Sequence, residues 1–314
     1  MISTAFDFIR QKKYKELTFF GITFIKYRYD NLKYFLINKI NKDKYKIVTV
    51  NGYKMYIFLE DIGISKELYL YKIREKFATK YMESFLKEDD IIIEIGANIG
   101  YYVLLENKIS KKGKIFACEP MTFNRKLLER NIALNNLKNV DTYSFAMGEK
   151  IQEQEFYIYD KINWSSFNKN VAGKIVSTEI VKTITIDHFV KEYLGDLAPT
   201  VLRMDVEGYE YEVIKGALKT IDKCDRLKIF LEIHPKLLSK KKLDELLKIF
   251  KDNNFKVKAI INECAAYLYP YLDSKILSLK QDIPYGYIGN DYENLEKFLQ
   301  MKKGTEVFLE KEIN

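Results

Sequence analysis

Asp89 to Tyr101 reads DDIIIEIGANIGY, in which Ile91 to Ile95 is an apolar run broken only by Glu94. A short apolar run bounded by turn residues predicts a strand buried on both faces. Gly96-Ala97-Asn98-Ile99-Gly100 then turns tightly toward a helix. Such turns bring backbone N–H groups to a ligand at the carboxyl edge of a parallel sheet. The glycines are spaced G-x-x-x-G, and Asn98 stands where a dinucleotide site needs glycine for a pyrophosphate to approach. The next expected strand, Lys114 to Cys118, ends in Cys118-Glu119-Pro120, which places Glu119 19 positions after Gly100. A carboxylate there accepts hydrogen bonds from both hydroxyls of a ribose. A ribose-bearing ligand without phosphates satisfies both facts.

Outward from this stretch, strands and helices alternate. A helix is expected over Ile99–Lys108, another over Phe123–Asn135, and a strand over Val140–Phe145. Two β-rich runs between Glu153 and Ile186, around the polar loop Asn163 to Lys174, read as an inserted hairpin. The alternation resumes with strand Thr200–Asp205, a helix from Tyr209, strand Leu227–Ile233, a helix with Leu243, Leu246, Leu247 and Phe250 on one face, and strand Phe255–Ile261. A helix over Tyr292–Lys302 and a strand over Glu306–Glu310 follow. The expected fold is α/β, a Rossmann-like sheet of seven mostly parallel strands with helices on both faces and an antiparallel end. Upstream, Asn51-Gly52 between two β-prone runs predicts a hairpin, and Glu67–Leu86 predicts one helix.

Residues 1–45 are rich in Phe, Tyr, Ile and Lys and read as a helical extension, leaving 46–314 as the main domain. A packing layer is the simplest role for the extension, and an amphipathic patch resting on a membrane surface is the alternative. Its longest apolar run, Leu17 to Ile25, is far below the roughly 18 residues of a membrane span, and no secretory signal is legible. Three cysteines without a C-x-x-C pair, and only His188 and His234, argue against a disulfide framework or a Cys/His zinc site and fit a reducing cytoplasm. The net charge of +8, from 52 Lys and Arg against 44 Asp and Glu, is spread along the chain and selects no partner.

The glycine turn and the acid after the second strand make the chain resemble class I S-adenosylmethionine-dependent methyltransferases. More narrowly it resembles the FkbM-type family through EIGANIGYY (94–102), CEP (118–120), NIALN (131–135), TIDHF (185–189), RMDVEGYEYEVIKGA (203–217) and LEIHP (231–235). The resemblance implies S-adenosylmethionine as cofactor, with Glu94, Gly96, Asn98 and Gly100 at its methionine end, Glu119 at the ribose, and Ala146 and Met147 near the adenine. Arg203 replaces the family's usual Lys, and guanidinium cannot act as a neutral amine. The implied activity is methyl transfer to a hydroxyl of a sugar, glycan or secondary metabolite, with no protein partner.

Asp205 and Glu207 leave a buried strand at the reacting edge, and His234 follows Glu232 on the next strand. These three are the catalytic candidates, with Asp205 orienting His234 as a base for the acceptor hydroxyl. Against these roles, the acids have a plain reading as helix-terminus groups, and His234 as a strand-end hydrogen-bonding residue. A metal held by Asp205, Glu232 and His234 is a weaker alternative, and none is expected. The Asp205-Val206-Glu207-Gly208 turn lacks the Asn/Asp-Pro-Pro-aromatic pattern of amino-directed nucleic-acid methyltransferases. An RNA ribose 2′-O-methyltransferase and a non-catalytic nucleoside-binding module remain as rivals.

Overall fold

The computed structural model describes residues 29–171, 173–262, 286–288, 291–300 and 302–312. Residues 1–28 of the expected extension, with Leu17 to Ile25, and Cys264 lie outside them. Residues 29–40 form helix α1. Hairpin β1 (Tyr45–Val50) and β2 (Tyr53–Phe58) leads to α2 (Ile64–Tyr71) and α3 (Lys76–Phe85). The alternating half runs β3 (Ile91–Ile95), α4 (Tyr101–Ile109), β4 (Lys114–Cys118), α5 (Thr122–Leu134) and β5 (Val140–Tyr143). The insertion holds β6 (Ala146–Met147), β7 (Gln152–Tyr159) and β8 (Ile175–Ile184). Then come α6 (Ile186–Tyr193), β9 (Val201–Met204), α7 (Glu210–Lys215), α8 (Leu218–Lys223), β10 (Lys228–Ile233), α9 (Lys240–Asp252) and β11 (Phe255–Ile261). β12 (Gly286–Ile288), α10 (Tyr292–Gln300) and β13 (Thr305–Lys311) complete the described elements.

The main sheet has the order β12-β11-β13-β10-β9-β3-β4-β5. Pairs from β10 through β5 are parallel, and β13 runs antiparallel between β10 and β11. These are the seven expected strands, with the short β12 added at one edge. The order reverses at β3, so its carboxyl end and that of β9 open a crevice.

Side-chain alternation divides the core into two layers. Ile92, Ile115, Ala117, Val201, Phe230 and Phe308 face α4, α5 and the N-terminal elements. Ile93, Ile95, Phe116, Leu202, Met204, Ile229 and Leu231 face α6 to α10. Glu94 shares the parity of Ile92 and therefore points under α4 instead of out of the strand end. There it is fully buried, opposite Arg203 in register, with Arg203 Nη1 donating to Glu94 Oε1 at 2.8 Å. Arg203 also lies 3.9 Å from the centre of the Tyr102 ring.

Asn51 and Gly52 both take positive φ, the conformation a two-residue turn needs to match strand twist. The outer edge of β2 is closed by side chains. Asn131 Oδ1 accepts from Tyr56 N at 2.6 Å, Asn135 Oδ1 from Lys54 N at 3.0 Å, and Ser65 Oγ from Phe58 N at 3.2 Å. Asn135 Nδ2 returns a bond to Lys54 O, and Asn131 Nδ2 reaches both Tyr56 O and Ile99 O. This is the structural role of the NIALN block.

The single helix expected over Glu67–Leu86 is two, because Lys72 and Glu75 adopt left-handed backbone between α2 and α3. The break is pinned by the glycine-turn segment. Tyr101 hydroxyl accepts from Arg74 N at 3.1 Å and donates to Arg74 O at 2.8 Å, and Tyr102 hydroxyl donates to Glu75 Oε2 at 2.5 Å. Likewise the helix expected from Tyr209 divides at Gly216-Ala217 into α7 and α8. The inserted hairpin forms as β7 and β8, and β6 joins β8 in parallel to make a separate three-stranded sheet.

Candidate active site

The crevice is built first from backbone. Gly96 and Ala97 N–H groups donate to Cys118 O at 2.9 and 3.0 Å, folding the glycine turn over the end of β4. Gly96 has φ +80, and a Cβ there would sit 2.4 Å from Asp205 O. Glycine is required by both conformation and space. Asn98 also takes left-handed backbone, with its Oδ1 accepting from Ile99 N at 2.8 Å. Glu119, 4% exposed, spans this turn and the start of α5: its oxygens accept Asn98 N at 2.7 Å and Met121 N at 2.9 Å. Burial pushes its carboxyl up to about 7 against the pull of those two amides. Pro120, Ala146, Met147, Phe156 and Phe167 supply apolar walls. The loop around Trp164 roofs the crevice with Ile162, Asn163 and Phe167, and Phe167 packs on Phe156 and Tyr209.

A second cavity of about 560 Å³ adjoins it, and Glu207 and Asn163 line both. Its floor holds Glu75, Glu207, Glu232, His234 and Glu306, its wall Arg74 and Trp164, and its rim Lys236, Lys302 and Lys303. Arg74 Nε is paired with Glu75. Glu232 and Glu306 are direct cross-strand partners between β10 and β13, which places two carboxyl groups side by side.

His234 is enclosed by acids. Its Nδ1 lies 2.7 Å from Glu210 Oε1, and its Nε2 lies 3.3 Å from Glu207 Oε2 and 3.5 Å from Glu232 Oε1. Glu210 faces one ring nitrogen and Glu207 and Glu232 the other, so the acids around the ring favour an imidazolium. Burial works against that charge, and Glu232, Glu207 and Glu210 outweigh it, raising the imidazolium well above its ordinary value. Burial, reinforced by Asp205, Glu232 and Glu210 and opposed by His234, lifts Glu207 to about 8. Burial lifts Glu232 to about 7. Glu207 has φ 49, a strained conformation held by Ser166 Oγ donating to Glu207 O at 2.8 Å and by Gly208 N donating to Glu210 Oε1 at 2.9 Å. Asp205, Glu207 and His234 bring ligand atoms within 4.8 Å of one another, as do Glu75, Glu232 and Glu306; among the described residues these are the groups whose spacing would suit a metal.

The structure therefore gathers Gly96, Asn98, Glu119, Ala146, Met147, Asp205 and Glu207 around one crevice. Two expectations for the methionine end change. Glu94 is sealed in its ion pair beneath α4 and lines none of the crevice, and Gly100, also outside its lining, takes φ +92 at the start of α4, so that glycine serves the turn into the helix. His234 lies in the adjoining basin, and Glu210, not Asp205, is the acid on its Nδ1. Glu210 was the missed residue, although it sits in the same 203–217 block, three positions after Glu207.

The Methyltransferase FkbM domain matches residues 94–257, from the end of β3 into β11. The chain belongs to the FkbM methyltransferase family. It is 30% identical over 184 residues to hexuronic acid methyltransferase AglP of Haloferax volcanii, covering 54% of this chain and 70% of that protein. It is 23% identical over 146 residues to Methyltransferase 1 of Beauveria bassiana, covering 41% of this chain and 59% of that one. The crystal structure of methyltransferase FkbM from Methylobacillus flagellatus aligns with a TM-score of 0.38 at 20% identity, over 53% of this chain and 38% of the other. As an FkbM methyltransferase the chain uses S-adenosylmethionine. The crevice fits it: the Glu119 carboxylate suits a ribose diol and the walls are apolar. Among the described residues, no helix is long and apolar enough to cross a membrane.

Proposed function

We propose that this FkbM methyltransferase transfers its methyl group to a hydroxyl oxygen of a sugar, a glycan or a secondary metabolite. The observation that carries this reading is Glu207, a carboxylate shared by the cofactor crevice and the adjoining basin and lifted to about 8. When bound, S-adenosylmethionine supplies a methyl group activated by its sulfonium. Gly96, Asn98, Glu119, Ala146 and Met147 hold the cofactor. In the basin an acceptor hydroxyl donates to Glu207, which takes its proton, while the His234 imidazolium holds Glu207 in place and Glu210 holds His234. Asp205, at the crevice side, positions the acceptor.

AglP's name as a hexuronic acid methyltransferase supports a sugar and leaves open which oxygen this chain methylates. One feature favours a hydroxyl over a carboxylate: a carboxylate acceptor needs no base, and Glu207 stands where a base would act. Incubating the full chain with methyl-labelled cofactor and extracted glycans, lipids and RNA should yield label as an alkali-stable ether on a carbohydrate. Label released as methanol by mild alkali would assign a carboxyl acceptor and remove the hydroxyl reading; label recovered in RNA would support the rival.

We also propose peripheral membrane contact through residues 1–45. In support, α1 exposes Tyr29, Leu32, Phe35, Leu36 and Ile40 along one side, with Lys33 and Lys39 among them. Co-sedimentation with anionic vesicles should exceed that with neutral ones. Equal absence of binding to both would sink the idea.

A further inference from the structure

Asn124 lies in the first turn of α5, five positions after Glu119, and lines the cofactor crevice beside Glu119, Pro120, Ala146, Met147 and Phe156. Its residue is 2% exposed and its Oδ1 is buried with no hydrogen-bond partner. The other asparagines of this helix behave differently: Asn131 and Asn135 each spend both ends of the carboxamide on backbone. Asn124 does not cap the helix either, since α5 has no side-chain cap bond. A buried polar side chain without a partner is uncommon in a native fold and needs a reason. Here the reason is the cavity it faces.

We propose that Asn124 reads the adenine edge of the cofactor, accepting a hydrogen bond from the 6-amino group through Oδ1. The inference rests on S-adenosylmethionine being bound in this crevice. The chemistry of the two polar side chains divides the nucleoside between them. Glu119 is acceptor-only and already holds two backbone amides, which leaves lone pairs suited to a diol, whose hydroxyls are donors. A carboxamide presents an acceptor and a donor in one plane, the complement of adenine's amino group and its adjacent ring nitrogen. Pro120, Met147 and Phe156 line the same crevice and offer apolar contact to the faces of a planar base.

The test is calorimetric titration of the full chain with S-adenosylhomocysteine and with S-inosylhomocysteine, in which a 6-oxo acceptor replaces the 6-amino donor. The wild type should prefer the adenine form by about tenfold or more, the scale of one hydrogen bond to a buried partner. Asn124→Ala should weaken the adenine form by about tenfold and leave the inosine form within about twofold, so that the preference collapses. Asn124→Asp, which keeps the acceptor, should retain the preference. If the alanine variant does not fold, as judged by thermal unfolding of the free protein, Asn124→Ser carries the same forecast. A full adenine preference in Asn124→Ala, or none in the wild type, overturns the proposal. Failure of the wild type to bind S-adenosylhomocysteine would overturn the cofactor reading with it, whereas loss of binding in Glu119→Ala with unchanged base preference in Asn124→Ala would overturn this assignment alone.

Discussion

The two cavities that meet at Glu207 are held together in opposite ways. In the cofactor crevice the side-chain hydrogen bonds run to backbone: Glu119 to the amides of Asn98 and Met121, Asn98 to Ile99, Asn131 to Ile99 from behind. In the basin side chains are tied to one another, as His234 is to Glu207, Glu210 and Glu232, and Arg74 to Glu75. Backbone partners do not titrate, so in the crevice it is Glu119 itself, lifted to about 7, that changes charge near neutrality. In the basin Glu207 and Glu232, lifted to about 8 and 7, do so around an imidazolium. Binding and chemistry should therefore separate by mutation.

Glu207→Gln is expected to have the largest effect, lowering turnover by roughly 10² to 10⁴ while changing cofactor affinity by less than about twofold. The base must be ionised to accept a proton, so wild-type turnover should rise with pH and reach half its maximum near the Glu207 value of about 8. A profile flat from pH 6 to 9, or a glutamine variant with full kcat, breaks the division at its chemical end. Next comes Glu119→Ala, which should weaken cofactor binding by about 1.5 to 3 kcal/mol through loss of a charged acceptor, measured by calorimetry. Its kcat at saturating cofactor should fall far less than that of Glu207→Gln.

Asn131→Ala tests the backbone-tied half through stability. It leaves Tyr56 N and Ile99 O without their partner and should cost about 1 to 3 kcal/mol in denaturant unfolding. A change below about 0.5 kcal/mol would mean these bonds do not hold the glycine turn. The smallest effect belongs to Glu106, buried beside Glu94 beneath the crevice. Burial, then the Glu94 charge, raises Glu106 well above the ordinary carboxylate value, so it is protonated in the fold. The folded state thus binds more protons than the unfolded one, and this stabilisation, complete below pH 4.5, is lost as pH rises toward the folded value. Glu106→Gln removes that dependence. Going from pH 5 to 8, the wild type should lose stability relative to the variant. Parallel stability curves would show that Glu106 is ionised throughout.

The fold was legible because the apolar runs at Ile91–Ile95, Val201–Met204 and Lys228–Ile233 state their burial directly, and the turn at Asn51-Gly52 states its geometry. Glu119 was legible from its place after a buried strand. Glu94 was misread because proximity to a strand end was weighed before side-chain parity, and parity decides: like Ile92, it faces α4. The role of His234 depends on how many acids surround it, and Glu210 and Glu232 come from different elements, α7 and β10. Arg74 and Glu75 reach the basin only because α2 and α3 break between them, at left-handed residues with no glycine to announce the break.

The pair Asn131 and Asn135 has a consequence for self-association. Two residues along a strand advance about 6.6 to 6.8 Å, and four along a helix about 6 Å, so asparagines spaced i, i+4 on α5 match alternate residues of β2 closely enough to act as a surrogate third strand. With Ser65 they occupy the outward amides of Lys54, Tyr56 and Phe58, the row a second chain would need for strand addition. A helix thus terminates the hairpin's growth on that side by supplying amide groups in the hairpin's own repeat, and any substitution that removes them reopens a template for polymerisation as well as weakening the fold.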